Sequence, residues 1–112
     1  RTTHGKIFDV LVDLRKNSDT FLDWFGTEIN EDNNYQLWIP PGFAHGFLTL
    51  SDKARVNYKV TNYWSRKHER SLIWNENKIE IKWPLKKTLP LLSNKDKNAK
   101  SIDYLIQKGE IF

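Results

Sequence analysis

The stretch Tyr35-Gln-Leu-Trp-Ile-Pro-Pro-Gly-Phe-Ala-His-Gly-Phe-Leu-Thr-Leu50 places two apolar runs on either side of a Pro-Pro-Gly turn. The prolines end the first run sharply, because proline has no N–H to continue a sheet and Pro-Gly favours a turn. The second run begins at Ala44, and Ser51-Asp52 follows it as another turn signal. Two short apolar runs bounded by turn residues predict two β-strands.

Other segments extend this prediction. Apolar residues alternate with other residues, with a period of two, over 7–14 and again over 54–64, which is typical of strands. Shorter apolar runs follow at 72–74 and 79–83. Strands at this spacing predict an antiparallel sandwich or barrel such as a jelly roll. After Pro84 the pattern changes to a loop and then a helical tail, which begins near Ser93 and extends through Ile106.

Size and charge narrow the class of protein. The chain has 112 residues, of which 13% are aromatic, and this content of rings argues against disorder. We therefore expect a single domain over residues 1–112. Residues 1–50 carry 4 basic and 7 acidic side chains, whereas residues 51–112 carry 14 basic and 7 acidic ones. The basic half either forms a solvated surface or attracts an anion such as a nucleotide, a sugar phosphate or a nucleic acid.

Several classes of site are excluded or disfavoured. Cysteine is absent, so there is no disulfide, thiolate metal site or cysteine nucleophile. The histidines His4, His45 and His68 form no H-x-H pair and no H-E-x-x-H motif, so we expect no metal. No apolar run approaches the roughly 20 residues that span a bilayer, and no signal-peptide pattern is present. We expect a cytoplasmic protein that does not associate with a membrane.

Three side chains are candidates for chemistry, and each has a structural alternative. His45 can bond to a substrate oxygen or move a proton, or it can be a structural residue at a barrel rim. Tyr58 is either a general acid or a core tyrosine bonded to a backbone carbonyl. Asp96 is either a carboxylate that orients a histidine or, with Ser93, part of a capping box.

The dense aromatic residues also allow two interpretations. They are either core residues or surfaces on which a nucleobase can stack: Trp38, Phe43, Phe47, Tyr58, Tyr63 and Trp64. A nucleic-acid binder is the weakest alternative, because the basic residues are scattered rather than clustered. We expect no nucleic-acid partner.

Taken together, several segments resemble one enzyme family, the dTDP-4-dehydrorhamnose 3,5-epimerases. The segments are 8–21, 36–51, 57–63 and 79–84, so the resemblance extends from about Gly5 to Asp96. The string Leu37-Trp-Ile-Pro-Pro-Gly-Phe-Ala-His-Gly-Phe47 is the most specific part. It marks the family well and the particular sugar poorly.

The resemblance implies an all-β, cupin-like jelly roll with a short helical tail, usually a homodimer, that works without a metal or an organic cofactor. Members of the family remove and return protons next to the ketone of a nucleotide-linked sugar, at C3 and C5 of dTDP-4-keto-6-deoxyglucose in the rhamnose pathway. Such a reaction needs a base, an acid on the opposite face of the ring and a donor to the enolate oxygen.

The resemblance also implies roles for individual residues. Tyr58 matches the family's acid, and Asp96 matches the carboxylate that pairs with its catalytic histidine. Four further residues match substrate-binding positions: the pocket residue His45, the nucleotide-end residues Tyr63 and Glu69, and Lys95, where a basic residue meets the diphosphate.

One motif of the family is absent from this chain. The family's general base is a histidine in an Arg-Gly-Leu-His motif upstream of the strand that contains Phe8, and no such motif occurs here. His4 lies in a different context, beside Gly5, and does not replace it. The chain also begins at Arg1 rather than Met, so we expect a partial sequence and a jelly roll incomplete at its N-terminus. The alternatives are a related 3- or 5-epimerase or ketoisomerase, or a non-catalytic module that binds a sugar nucleotide.

Overall fold

A computed structural model describes all of residues 1–112. Its elements are five strands and two short helices: β1 Thr2–His4, β2 Lys6–Asp13, β3 Trp24–Asn30, β4 Phe43–Thr49, β5 Arg55–Val56, α1 Asn94–Lys97 and α2 Ile102–Gln107. Strands β3, β2 and β4 form one antiparallel sheet in that order, and β1 pairs with β5 in a second. The predicted β-rich fold with a helical tail is confirmed.

Strand β2 is the centre of the molecule. It pairs with β3 from Lys6 to Val12 and with β4 from Ile7 to Asp13. Because side chains alternate across a strand, its two faces have different roles. One face contributes Val10 and Val12 to the main apolar core, together with Leu14 just beyond the strand. The other face carries two buried carboxylates, Asp9 and Asp13, so this strand both builds the core and holds charge.

The core is completed by residues far along the chain. Ile79 and Ile102 join the cluster on β2, and apolar side chains from 72–83 pack around it. The buried carboxylate of Glu76 accepts a hydrogen bond from the backbone N–H of Ile102 at 2.8 Å. This bond satisfies a free N–H in the first turn of α2 and joins the loop at 76 to the helical tail.

Four predicted strands differ from the structure. Residues 35–39 and 79–83 contain no strand, and in the segment 54–64 only Arg55 and Val56 are in one. The prediction was wrong because alternation describes which residues suit a pleated surface, whereas a strand also needs a partner edge. Val60 is 71% exposed, so the apolar face of 57–64 has nothing to pack against. The run at 72–74 makes only an isolated bridge, from Leu72 to Lys100.

The buried carboxylate of Asp13 holds the loop that joins β2 to β3. It accepts hydrogen bonds from three residues of that loop: from the backbone N–H, Nε and Nη2 of Arg15, and from the hydroxyls of Ser18 and Thr20, all at 2.7–2.9 Å. These bonds, that from Arg15 above all, hold the pKa of Asp13 far below its usual value. The charged form of Asp13 is therefore part of the folded structure.

We expect the Asp13→Asn variant to be less stable at neutral pH and less sensitive to acid. A carboxyl whose folded pKa is depressed contributes stability above its unfolded pKa, near 3.8, and that stability is lost as the pH falls. Urea and thermal unfolding of the full-length protein between about pH 2.5 and 7 would measure how its stability depends on pH. The variant should lower the Tm at neutral pH by roughly 5 °C or more and show a shallower acid slope.

Asp19→Asn is the matched control, because Asp19 is exposed in the same loop. It removes the same charge without touching the hydrogen bonds of Asp13. Equal acid slopes for Asp13→Asn and the wild-type protein would contradict the assignment.

Candidate functional site

A buried carboxylate and a histidine meet on the charged face of β2. The Nε2 atom of His45 lies 2.9 Å from Oδ1 of Asp9. His45 stands opposite Leu11 in the β2–β4 pairing, and Asp9 stands opposite Phe47, so the contact is a diagonal one across adjacent strands. Because a carboxylate only accepts hydrogen bonds, Nε2 carries the hydrogen and Nδ1 is left available. The pair fixes both the tautomer and the orientation of a partly exposed imidazole.

A cavity of about 640 Å³ runs along the outer edge of β4. All five residues from Phe43 to Phe47 line it, as expected for a terminal strand with no neighbour on that side. Its apolar floor is formed by the core face of β2. Polar residues line it elsewhere: His68, Arg70, Lys95, Asp96 and Glu110, and at the edge strand His45, whose imidazole is turned to Asp9 on the other face of the sheet. The cavity therefore combines an apolar surface with convergent polar groups, which is the usual character of a ligand site.

Lys95 and Glu69 form an ion pair at this cavity. The Nζ atom of Lys95 lies 2.8 Å from Oε1 of Glu69. This hydrogen bond lowers the pKa of Glu69 and raises the pKa of Lys95, and each stays charged over a wide pH range as a result. A side-chain hydrogen bond from Trp64 also lowers the pKa of Glu69, and the neighbouring charges of Asp96 and Tyr58 also raise that of Lys95.

Asp96 is held by the turn that begins α1. Its backbone N–H donates to Oγ of Ser93 at 3.1 Å, and the same hydroxyl donates to Oδ2 of Asp96 at 2.8 Å. The predicted N-cap at Ser93 is confirmed. Asp96 is exposed and also lines the cavity, so capping and a role in the site are compatible for this residue.

Tyr58 and Tyr63 are both exposed in the structure. The interpretation of Tyr58 as a buried core residue is wrong, because its side chain is 78% exposed and it lies outside any strand. Tyr63 is fully exposed.

Two residues that the structure brings to the site were not identified from the sequence. Asp9 had a signal, because an acidic residue inside a strand of this apolarity needs a buried partner. That partner lies 36 positions away, and no local pattern identifies it. The sequence indicates Trp64 only as one of several aromatic residues. His4, in contrast, contacts Glu31 at the surface at 3.4 Å and takes no part in the site.

No group of three or more His, Asp or Glu side chains is arranged to hold a metal ion. Neither helix has the length or the apolar character that crossing a membrane would require.

Comparison with known proteins identifies the family. The family model described as dTDP-4-dehydrorhamnose 3,5-epimerase matches residues 1–103. The chain belongs to this family. It is 48% identical over 101 residues to the dTDP-4-dehydrorhamnose 3,5-epimerase of Pseudomonas aeruginosa, covering 90% of this chain and 55% of that protein.

Solved structures of the family superpose closely. The epimerase from Bacillus anthracis, with TDP and PPi bound, is 44% identical with a TM-score of 0.87, over 91% of this chain and 57% of that one. The enzyme from Legionella pneumophila, in complex with dTDP-4-keto-L-rhamnose, is 36% identical with a TM-score of 0.85, over 98% of this chain and 57% of that one. The fold is accordingly the predicted cupin-like jelly roll, and the chain spans somewhat more than half the length of these relatives.

We expect a double-mutant cycle of Asp9→Ala and His45→Ala to give a coupling free energy of about 1–3 kcal/mol, because His45→Ala leaves the buried carboxylate of Asp9 unpaired. Urea unfolding of the full-length protein would measure it, with His45→Ala expected to destabilise the protein more than the same change made in the Asp9→Ala background. Strictly additive effects would contradict the pairing.

Proposed function

We propose that this chain forms part of a nucleotide-sugar epimerase that inverts dTDP-4-keto-6-deoxyglucose at C3 and C5, by removing and returning protons next to the ketone. One observation carries the proposal: His45 and Asp96, matched independently to the family's site, line the same cavity, and Lys95 joins them there. Membership of the family supports the reaction class. The convergence of these residues supports this cavity as the place where the reaction occurs.

The proposed acid is Tyr58. Its phenol is exposed to solvent and therefore accessible to a substrate. Asp96 is proposed to orient the catalytic histidine, which the family carries in an Arg-Gly-Leu-His motif outside this chain's sequence. Ser93 leaves Oδ1 of Asp96 free for that contact, because its hydroxyl bonds only to Oδ2.

His45 is proposed to bind the substrate through Nδ1. Because Nε2 donates the ring hydrogen to Asp9, Nδ1 of this tautomer is a hydrogen-bond acceptor and can bind a hydroxyl of the sugar. The contact with Asp9 fixes the ring before the substrate arrives, which lowers the entropic cost of that contact.

The nucleotide end of the site is proposed to lie around Glu69. Lys95 offers a positive charge to a diphosphate, and the exposed indole of Trp64 and the ring of Tyr63 offer surfaces on which thymine can stack. Glu69 and Lys95 line a neighbouring cavity, and Lys95 also lines the first one, so we place the deoxy sugar over the apolar floor of the first cavity.

We also propose a homodimer in the cytoplasm that uses no cofactor. Large apolar side chains such as Trp38 and Leu91 are more than three-quarters exposed. Such exposed apolar surface favours association with another chain. A dTDP-linked sugar is a metabolite of the cytoplasm. Proton transfer next to a ketone requires only side chains, and therefore no cofactor.

The deciding experiment is incubation of the full-length protein with dTDP-4-keto-6-deoxyglucose in D₂O, followed by NMR of the sugar. We expect solvent deuterium at both C3 and C5 and formation of dTDP-4-keto-L-rhamnose. Exchange at one carbon alone would indicate a mono-epimerase. Binding without exchange would leave only a sugar-nucleotide-binding module.

We expect Tyr58→Phe to reduce kcat by roughly 100-fold or more, since general acids contribute about 10²–10⁴ to rate, while changing the Kd for dTDP by less than about twofold. The variant removes the proton donor and keeps the ring. Steady-state kinetics and calorimetric titration would measure the two quantities. Tyr35→Phe is the matched control, because Tyr35 is also exposed but does not line the cavity, and equal losses of kcat and affinity in Tyr58→Phe would contradict the acid role.

A further inference from the structure

Both permanently charged cations of the cavity are already neutralised by carboxylates. Lys95 and Arg70 are the only lysine or arginine side chains that line it. The Nζ atom of Lys95 lies 2.8 Å from Glu69, and Nε of Arg70 lies 2.9 Å from Glu110. The side chains stay partly exposed, 59% for Lys95 and 41% for Arg70, so an anion that enters the cavity competes with a carboxylate for each positive charge.

Glu69 is held in place more firmly than a typical surface carboxylate. Its backbone carbonyl accepts a hydrogen bond from Nη1 of Arg70 at 2.9 Å, and the same nitrogen donates to the carbonyl of Lys67 at 2.8 Å. The side chain of Glu69 is one-third exposed. Because the backbone of Glu69 is fixed, its carboxylate cannot follow Lys95 far when Lys95 turns toward a ligand.

Displacement has different consequences for two kinds of anion. Free inorganic pyrophosphate can bond to Lys95 but leaves the Glu69 carboxylate without its cation. A nucleoside diphosphate brings a base with an N–H, and that N–H can donate to the carboxylate that Lys95 has left. Only the nucleotide restores the hydrogen bonding of both members of the pair.

We propose that Glu69 is a specificity-determining residue that makes the site prefer a nucleoside diphosphate to a free inorganic diphosphate, by holding Lys95 in an ion pair that only the nucleotide can replace at both ends. The inference rests on the proposed function, since it concerns the same nucleotide end of the site. It adds a role to the carboxylate beyond contact with the ligand, namely the exclusion of small anions.

The test compares Glu69→Gln with the wild-type full-length protein in calorimetric titrations with pyrophosphate and with dTDP. We expect the variant to bind pyrophosphate about two- to fivefold more tightly, the range for freeing a partly exposed cation from its pair. We expect its affinity for dTDP to be unchanged or weaker, so that the preference for dTDP over pyrophosphate falls by at least the same factor. Circular dichroism melting would show that the variant is folded.

Asp103→Asn is the matched control. It also breaks an ion pair with a lysine, Lys78, and removes the same charge, but neither residue lines the cavity. We expect it to leave both affinities within about 1.5-fold of the wild type, because exposed pairs at a distance are screened by salt.

Three outcomes would overturn the inference: equal tightening of pyrophosphate and dTDP in Glu69→Gln, the same tightening in Asp103→Asn, or no binding of pyrophosphate to Glu69→Gln at all. A wild-type protein that fails to bind dTDP would instead contradict the proposed function. The two failures are therefore distinguishable within one set of titrations.

Discussion

The ionised carboxylate of Asp13 is the contact on which the arrangement of the sheet depends. It lies at the end of β2, where the chain must turn away toward β3, and the side chain of Arg15 bonds to both of its oxygens. The guanidinium of Arg15 in turn stacks 4.8 Å above the ring of Phe43, the first residue of β4. The backbone N–H of Leu14 donates to the carbonyl of Gly42 at 2.9 Å in the same region. One buried charge thus joins the turn after β2 to the start of β4.

This anchoring determines which face of the sheet His45 occupies. His45 follows Phe43 by two residues and so points to the same face of β4. Asp9 and Asp13 share a face of β2 for the same reason. Fixing the register at Asp13 and Phe43 therefore places the imidazole within reach of Asp9. A slip of one residue would turn His45 to the apolar face, where no carboxylate could meet it.

The sequence predicted those elements whose signals are local. The strands around Val10 and Gly46, and the helix start at Ser93, follow from alternation, turn residues and capping. Segments 35–39 and 57–64 have equally good strand patterns but no partner edge among the described residues, so the same signals gave a wrong prediction there. The environment of Tyr58 could not be predicted for the same reason, because its burial depends on a neighbour rather than on its own segment.

Distance along the chain explains what was missed in the site. Lys95 was matched through the resemblance to the family, whereas its ion-pair partner Glu69 lies 26 positions earlier in the chain. The partner of Asp9 is similarly remote. Such pairings depend on the completed fold, and residue type alone shows only that a buried charge needs a partner.

The position of β2 between an early and a late partner has a consequence for how the chain reaches its structure. Its hairpin with β3 closes over about ten residues, whereas β4 must return from roughly thirty residues away, and longer closures carry a larger entropic cost. We expect the hairpin to form first, so that the second edge of β2 stays unpaired until β4 adds to it. During that interval the acidic side chains of the strand repel the edges of other copies, in the way that gatekeeper charges limit intermolecular pairing. The residues that later orient the imidazole and anchor the turn thus also protect the folding chain.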